Sequence, residues 1–272
     1  MKATKVGHAG TLDPPATGLL VIGLGKATRL FRYLSGLDKV YSGEIVFGYS
    51  THSQDNTGTP LTFCDMSFLT IDEVRDQAKK LTGEIKQLPP MVSAKKIGGK
   101  RLYELARESI EVERKPCAIF IELFEVEDLL IEERIVVGEQ EFQVQTLKFS
   151  IKCSSGTYVR TIAHDLGILC GGFAHLRNLR RLKVGHFDVV NSLKVNDITQ
   201  DSLLGVEEGI STLEHLRIDE NSRSKVLNGY KFPRGTLGAT GDPPWAIVDS
   251  KGKLIGIYSL RDDYEVPEIV LR

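Results

Sequence analysis

Twelve residues near the amino terminus, Gly7 to Gly18, place one carboxylate in a short stretch that is rich in glycine and proline. The stretch reads Gly-His-Ala-Gly-Thr-Leu-Asp-Pro-Pro-Ala-Thr-Gly, and Asp13 is its only acidic residue. Because Pro14 follows, the backbone of Asp13 is restricted to extended or turn conformations. The apolar run 19–22 comes next and is typical of a buried strand. A lone Asp-Pro pair more often marks a surface turn, so a functional interpretation of Asp13 depends on the whole stretch.

The complete stretch resembles the catalytic motif of the TruB family of pseudouridine synthases, which convert uridine 55 in the T loop of tRNA into pseudouridine. One position differs, because the family motif usually has leucine where this chain has Pro15. The acid and the glycines match. By this resemblance Asp13 is the catalytic residue, and we expect an isomerase that binds the T-arm of tRNA and needs neither a cofactor nor a metal ion.

The composition of the 272 residues is that of an ordinary globular protein, with 41% hydrophobic and 26% charged residues. No run approaches the ~20 apolar residues that a membrane span needs, and we expect a cytoplasmic monomer. The four cysteines lack Cys-x-x-Cys spacing, which argues against a zinc site and favours reduced thiols. The formal net charge is −1, so RNA binding requires basic residues to be clustered locally.

The resemblance also implies a fold and a division into domains. We expect an α+β pseudouridine synthase fold, with a mixed, mostly antiparallel sheet, flanking helices and a central RNA cleft, over residues 1–214. Residues 215–272, where short apolar segments alternate with Gly and Pro turns, are expected to form a small PUA-like β domain.

The family's first strand and its Lys-Pro-x-Gly loop are absent before Gly7. We therefore expect a fragment, a misassigned start or a shortened protein. Loss of a strand beside the catalytic loop exposes a sheet edge and removes packing. We expect this chain to be less soluble and less active than one with about thirty further residues upstream.

Residues 40–47 alternate along a predicted strand, which places Tyr41 on the same face as Ile45 and Phe47. The pattern by itself fits a core aromatic as well as a site residue. The stretch Asp38-Lys39-Val40-Tyr41 resembles the family's Asp-Lys-x-Tyr motif, which implies that Tyr41 stacks on the target base.

Two further residues receive roles only from the resemblance. His8 lies five residues before Asp13, and by resemblance it takes the place of the flipped nucleotide inside the RNA loop. The polar stretch 50–60 is typical of a solvated loop, and its likeness to a family loop gives Asp55 at most a supporting role.

The first basic cluster lies within residues 87–107, where a Pro- and Gly-rich loop precedes a predicted short helix. A run of charges is usually a solvated surface. This stretch, however, resembles the thumb, an insertion that clamps the T loop in the family. The resemblance implies phosphate contacts, which supply salt-sensitive affinity rather than sequence choice, from Lys95, Lys96, Lys100 and Arg101.

Alternating residues 146–154 predict a half-buried strand, and a helix with one apolar stripe follows the turn at 155–157. Tyr158 and Arg160 lie where this helix begins, and Gly-Thr-Tyr-Val-Arg resembles the family's second motif. The resemblance implies that Tyr158 packs against the target base and that Arg160 pairs with Asp13. A bidentate pair of this kind would fix the orientation of the carboxylate.

The second basic cluster, residues 171–183, resembles the family motif Gly-Ala-His-x-x-x-Leu-Arg-Arg. The pattern alone fits an ordinary core leucine at position 179. The resemblance implies instead that Leu179 lines the uracil pocket and that Arg180 and Arg181 face RNA.

Two alternative functions stay open at this point. An RNA-guided synthase subunit would share the aspartate motif, although the thumb-like stretch favours an enzyme that acts alone. A non-catalytic tRNA-binding or folding protein is the other alternative, since an incomplete sheet could hold RNA without turnover.

Overall fold

The computed structural model describes residues 5–93, 95–108, 110, 112–128, 130–137 and 139–271. In chain order the strands are β1 (Val6–His8), β2 (Thr17–Gly18), β3 (Ile22–Leu24), β4 (Lys39–Phe47), β5 (Tyr49–Thr51), β6 (Pro60–Phe63), β7 (Gly83–Gln87), β8 (Lys96–Ile97), β9 (Lys100–Arg101), β10 (Cys117–Val126), β11 (Ile131–Val137), β12 (Gln140–Cys153), β13 (Ala174–Val184), β14 (Phe187–Asp188), β15 (His215–Arg217), β16 (Phe232–Pro233), β17 (Trp245–Val248), β18 (Leu254–Arg261) and β19 (Tyr264–Val270). The α-helices are α1 (Phe31–Leu34), α2 (Ile71–Lys79), α3 (Leu102–Arg107), α4 (Val159–Leu169), α5 (Val206–Gly209) and α6 (Glu220–Leu227), and short 3-10 helices lie at Gly25–Leu30, Val189–Asn191, Val195–Asp197 and Gln200–Ser202.

The described chain divides into two compact units. The larger unit comprises Thr11–Leu20 and Gly36–Ser192, and the smaller comprises the described residues up to Gly10, Val21–Ser35 and the chain from Leu193 onward. Residues 193–214 therefore cluster with the carboxyl-terminal strands, so the compact units do not follow the boundary expected at residue 214. The assignment of a catalytic and a PUA-like domain stays a prediction.

The larger unit is built on a mixed, mostly antiparallel sheet, which confirms that expectation. Its strands run in the order β14-β13-β4-β12-β10-β7, with β11 paired to β12 and β2 paired to β13. The short β2 is parallel to β13, and the other pairings are antiparallel. The alternation predicted for residues 40–47 and 146–154 is confirmed by β4 and by the longer β12, which are neighbours in this sheet.

Helices α2 and α4 pack against this sheet and cover its main apolar core. Helix α2 begins at the capping box of Thr70 and Glu73 and contributes the buried side chains of Val74 and Ala78. Helix α4 buries the apolar stripe that its sequence predicts, and the core also contains the side chains of Ile45, Phe47, Leu147, Phe149, Ile162 and Leu166. This packing fixes the amino-terminal end of α4, where Tyr158 and Arg160 lie.

The prediction of one buried strand over residues 19–22 is wrong. Leu19 is buried and its N–H donates to the Arg181 carbonyl, whereas Val21 accepts from the N–H of Ala9. Because the two ends of the run pair with different partners, residues 19–21 are irregular and β3 begins only at Ile22. Leu20 and Ile22 are exposed.

The smaller unit contains a five-stranded sheet in the order β15-β17-β18-β19-β16, as well as the β1–β3 pair. Short strands with Gly and Pro turns were expected after residue 215, and this part of the expectation is confirmed. Its core includes Trp245, Ile247 and Tyr258. In the described part of the chain, no helix is long and apolar enough to cross a membrane.

Candidate active site

Asp13 lies on a loop that is fastened to β13 of the larger unit. The Asp13 carbonyl accepts from the N–H of Ala16 at 2.9 Å, which closes a turn around Pro14 and Pro15. Gly18 has a φ of +101°, and a Cβ atom there would lie 2.2 Å from the Arg181 carbonyl oxygen. Only glycine allows this approach, so the loop and β13 are held in close contact.

Arg160 binds both oxygens of the Asp13 carboxylate. Its Nε donates to Oδ2 at 2.7 Å and its Nη2 to Oδ1 at 3.1 Å. The guanidinium is only 4% exposed, whereas the carboxylate is 38% exposed. The bidentate pair predicted for these two residues is therefore present, and it leaves the carboxylate accessible from one side.

The remaining contacts of Arg160 are with two further segments of the larger unit, the Asp55 loop and the chain at Val92. Its Nη1 donates to the Ser53 carbonyl at 2.8 Å, and its Nη2 also donates to the Val92 carbonyl at 2.9 Å. Its Nε lies 3.7 Å from Oδ2 of Asp55. These hydrogen-bond and ion-pair partners are all oxygens, so they satisfy the buried cation and hold it in one orientation.

The loop around Asp55 is only partly solvated, because exposed residues such as His52 and Asn56 alternate with buried ones. Thr51, Ser53 and Asp55 are all buried. Oδ1 of Asp55 accepts from the Ser53 hydroxyl at 2.6 Å and from the N–H of Thr57 at 2.9 Å. Buried polar groups need such partners, and the local sequence supplies them. Asp55 faces Arg160, and its expected supporting role stays a prediction.

A shallow, open concavity lies beside this ion pair. The residues that line it come from the catalytic-motif loop, the Asp55 loop, α4 and β13: Asp13, Pro15, Ala16, Asp55, Asn56, Arg160, Leu176, Asn178 and Leu179. Asn178 has a φ of +56°, at a point where the pairing register of β13 with β4 shifts. This bulge brings Leu179 to the same concavity as Asp13, and contact of Leu179 with uracil stays a prediction.

Tyr41 is half-buried on β4 and lies opposite Arg181 of β13. Burial is the main cause that raises the pKa of its hydroxyl, and the neighbouring Arg181 opposes that effect while the charge of Asp13 adds to it. The phenol is therefore neutral at physiological pH and lies within electrostatic range of the carboxylate. Stacking of Tyr41 on the target base stays a prediction.

Arg181 does not face solvent, which corrects the expectation that it faces RNA. Its side chain is 1% exposed. Its Nε donates to the Leu19 carbonyl at 2.8 Å and its Nη1 to the Thr11 carbonyl at 3.4 Å. Backbone carbonyls on both sides of Asp13 therefore bind this one side chain, and Arg181 supports the loop from inside. Arg180, the preceding residue, is exposed and its Nη1 lies 3.4 Å from the Thr17 hydroxyl.

Tyr158 occupies the N-cap position of α4, two residues before Arg160. Its backbone is bound by Gln87, a buried residue that the sequence did not single out. The Tyr158 N–H donates to Oε1 of Gln87 at 2.8 Å, and the Tyr158 carbonyl accepts from Nε2 at 3.0 Å. No pattern in the sequence marks Gln87, apart from its place directly before the Leu-Pro-Pro start of the thumb-like stretch.

The basic residues expected to bind RNA differ in their surroundings. The ammonium of Lys95 donates to Sγ of Cys117 at 2.6 Å, and that of Lys100 pairs with Glu108 at 3.3 Å. Arg101 is exposed and lies over the ring of Tyr103. The side chain of Lys96 is outside the described part of the structure. RNA contact by this cluster stays a prediction.

His8 is placed in β1 of the smaller unit, where it is exposed. Its expected role inside the RNA loop stays a prediction. Over the ranges that the structure describes, no group of three or more His, Cys, Asp or Glu residues is arranged to hold a metal ion. The described cysteines are free thiols.

Comparison of the structure with solved structures shows the same fold. A Cbf5-Nop10-Gar1 complex contains a chain that matches with a TM-score of 0.67 and 21% identity, over 99% of this chain and 76% of that one. An H/ACA RNP bound to a substrate RNA containing 2'-deoxyuridine matches with a TM-score of 0.67 and 18% identity, over 99% and 77% of the two chains.

Comparison of the sequence with known proteins is more specific. A tRNA pseudouridine synthase B of Listeria monocytogenes is 38% identical over 261 residues, which cover 93% of this chain and 84% of that protein. One of Staphylococcus epidermidis is 34% identical over 282 residues, or 98% and 89% of the two chains. Residues 1–159 match the family model of the TruB pseudouridylate synthase N-terminal domain, and residues 160–217 match that of the tRNA pseudouridylate synthase B C-terminal domain. The chain therefore belongs to the TruB family of pseudouridylate synthases.

Proposed function

We propose that this chain converts uridine into pseudouridine in the T loop of tRNA, at position 55, and that Asp13 is the nucleophile. One observation carries the proposal: a carboxylate that is 38% exposed is bound through both oxygens by a buried arginine at the edge of a concavity. The names of the relatives support tRNA as the substrate.

The reaction needs no oxidant and no other group donor. The bond from the ribose C1′ to N1 of uracil breaks, the base turns, and a bond from C1′ to C5 forms, while the proton on C5 is lost and N1 gains one. A carboxylate oxygen attacks an electrophilic carbon of the nucleoside to begin this sequence. Arg160 occupies one direction at each oxygen of Asp13, so one side of the carboxylate is left for the substrate.

The uridine must leave its stack before it can reach Asp13. Unstacking costs a few kcal/mol, and stacking on an aromatic side chain returns ~1–3 kcal/mol for each base face. Tyr41 and Tyr158 are the aromatic residues that we assign to this role. Leu179 supplies an apolar contact in the concavity that holds Asp13.

The test is the variant Asp13→Asn, with Asp72→Asn on α2 as the matched control. Asn keeps the size of the side chain but is not a nucleophile, so we expect turnover of a T-arm RNA below a hundredth of wild type with little loss of binding. Pseudouridine-specific chemical mapping of the RNA measures the product. Residual turnover above that level excludes Asp13 as the nucleophile.

The same assay separates the two alternative functions. It contains T-arm RNA and no guide RNA, so turnover by the wild-type chain excludes a requirement for a guide. Tight binding of the RNA by the wild-type chain without any product, both without and with added guide RNA, would instead support a non-catalytic tRNA-binding protein.

A further inference from the structure

The Gln87 side chain binds the backbone of Tyr158 as a neighbouring strand would. Gln87 is the last residue of β7 and is 2% exposed. Its Oε1 accepts from the Tyr158 N–H at 2.8 Å, and its Nε2 donates to the Tyr158 carbonyl at 3.0 Å. One carboxamide thus satisfies both backbone groups of one residue, across 71 positions of sequence.

The Tyr158 N–H lies just outside helix α4, where the helix itself gives it no partner. Tyr158 is the N-cap of α4, with φ −94° and ψ 101°, and no side chain caps the helix there. Its carbonyl belongs to the first turn, because the N–H groups of Thr161 and Ile162 donate to it. The N–H of an N-cap residue points away from the helix and needs a partner outside it. Gln87 is that partner.

Fixing this backbone limits where the aromatic ring can point. A side chain leaves its Cα in one of a few staggered rotamers whose choice depends on φ and ψ. If the peptide before Tyr158 rotates, the ring rotates with it. The proposed function requires the ring to stay in place against a base that has just left its stack.

Residues 87–92, which we call the entry segment, also reach the ion pair. The Val92 carbonyl accepts from Nη2 of Arg160 at 2.9 Å, and Arg160 binds Asp13. Pro89 and Pro90 lie between the two contacts and restrict the backbone that joins them. The entry segment therefore contacts both Tyr158 and Arg160.

We propose that Gln87 is a positioning residue for the target base, and that its carboxamide acts by fixing the backbone of Tyr158. The inference rests on the proposed function, because that function places the base against Tyr158. Gln87 touches neither the substrate nor Asp13 in this account.

Two substitutions separate the hydrogen bonds from the shape of the side chain. Gln87→Met keeps the length but removes the donor and the acceptor. In Gln87→Glu, the ionised carboxylate still accepts from the Tyr158 N–H but faces the Tyr158 carbonyl without a proton. The protonated acid restores both hydrogen bonds, and burial raises the pKa of a carboxyl group. The Glu variant should therefore regain function as the pH falls, whereas the Met variant should not.

Gln145 offers a matched control in the same sheet. It is buried in β12, and its Nε2 lies 3.3 Å from the Ser67 carbonyl. Met and Glu substitutions at Gln145 carry the same chemical changes without touching Tyr158. They report how much a buried glutamine matters to stability alone.

The experiment measures single-turnover rates on a T-arm RNA from about pH 5.5 to 8.5, together with RNA affinity and melting temperature. We expect Gln87→Met to be about tenfold slower at every pH, with affinity within twofold of wild type. The rate of Gln87→Glu relative to wild type should rise at least severalfold from the highest to the lowest pH. The Gln145 variants should keep wild-type rates at temperatures below their melting points.

Two results would overturn the inference alone. One is an active wild type together with a Gln87→Met variant of equal rate. The other is a Gln87→Glu variant whose relative rate does not change with pH. An inactive wild-type chain overturns the proposed function itself, and the inference with it.

Discussion

Arg160 binds both carboxylate oxygens of Asp13, with Nε 2.7 Å from Oδ2 and Nη2 3.1 Å from Oδ1, although 147 positions separate the two residues in sequence. The same guanidinium donates to the carbonyls of Ser53 and Val92. The loop of Asp13, the loop of Asp55 and the entry segment thus meet at one buried cation. The direction of the carboxylate depends on all of them.

We expect Arg160→Lys to lose far more activity than its conserved charge suggests. A lysine ammonium is a point charge and cannot form the planar, bidentate pair of hydrogen bonds that a guanidinium forms with a carboxylate. It would also leave at least one of the two backbone carbonyls without a donor. A misplacement of the carboxylate by an ångström can cost about a hundredfold in rate, and we expect a loss of that order in single-turnover rate, with RNA affinity little changed. Arg75→Lys, on the exposed side of α2, is the control, and a near-normal rate in Arg160→Lys would show that the two-point contact has no role.

Arg180 and Arg181 should behave oppositely when they are changed. Arg181 is buried and binds backbone carbonyls on both sides of Asp13, so Arg181→Gln should lower stability by about 1–3 kcal/mol and reduce the rate. It should leave the salt dependence of tRNA binding unchanged. Arg180 is exposed, so Arg180→Ala should leave the melting temperature unchanged and lower the salt slope of binding by about one if the side chain contacts a phosphate. Because Arg181→Gln removes the charge, a reduced salt slope in this variant would contradict the buried position of Arg181.

Local patterns predicted the elements that carry the site. Period-two alternation predicted β4 and β12, and an apolar stripe predicted helix α4. These signals are local, because each depends on neighbours within one strand or one helix. The pairing of Asp13 with Arg160 joins distant segments, and only the likeness to family motifs predicted it.

The sequence could not predict which basic side chains of β13 are buried. Register shifts lie between Arg177 and Arg180 and between Arg181 and Lys183. Each bulge breaks the alternation of sides along the strand, so spacing does not show that Arg180 is exposed and Arg181 buried. The burial of Thr51, Ser53 and Asp55 within an otherwise exposed polar loop could not be predicted for a related reason. The polar side chains of this loop are satisfied by one another and by Arg160, which composition does not reveal.

Gly18→Ala should destabilise the chain more than alanine at a glycine with the same backbone conformation and free space around it. Gly171 is the matched control, since its φ is +85° and no atom lies within 4 Å of a Cβ placed there. Alanine at either position costs about 1–2 kcal/mol for the left-handed backbone. At Gly18 the clash with the Arg181 carbonyl is added, and the loop of Asp13 must shift. We expect Gly18→Ala to lower the melting temperature more than Gly171→Ala does, and we expect only Gly18→Ala to reduce turnover. Equal effects at the two positions would show that the close approach of Gly18 to Arg181 is unimportant.

The stability of the chain should depend on the protonation of His175, which is 0% exposed in β13. Burial lowers its pKa from the ordinary 6.5 to about 4, although a hydrogen bond to the Tyr49 carbonyl opposes the shift. The unfolded chain therefore binds a proton on this residue at a higher pH than the folded chain does. The stabilisation is fully present above about pH 6.5 and is lost as the pH falls towards 4, by roughly 2–3 kcal/mol.

Comparison of wild type with His175→Gln isolates this effect from the other titrating groups. The free energy of unfolding of wild type, minus that of the variant, should fall by the same roughly 2–3 kcal/mol between pH 7.5 and 4.5 in denaturant titrations. Asp165→Asn provides a contrast of opposite sign. Burial raises the pKa of Asp165 to about 6, so its ionisation costs stability as the pH rises from about 4 through 6. The unfolding free energy of wild type minus that of Asp165→Asn should therefore fall as the pH increases. For His175→Gln, a difference in unfolding free energy that does not vary with pH would show that His175 is not held in its neutral form.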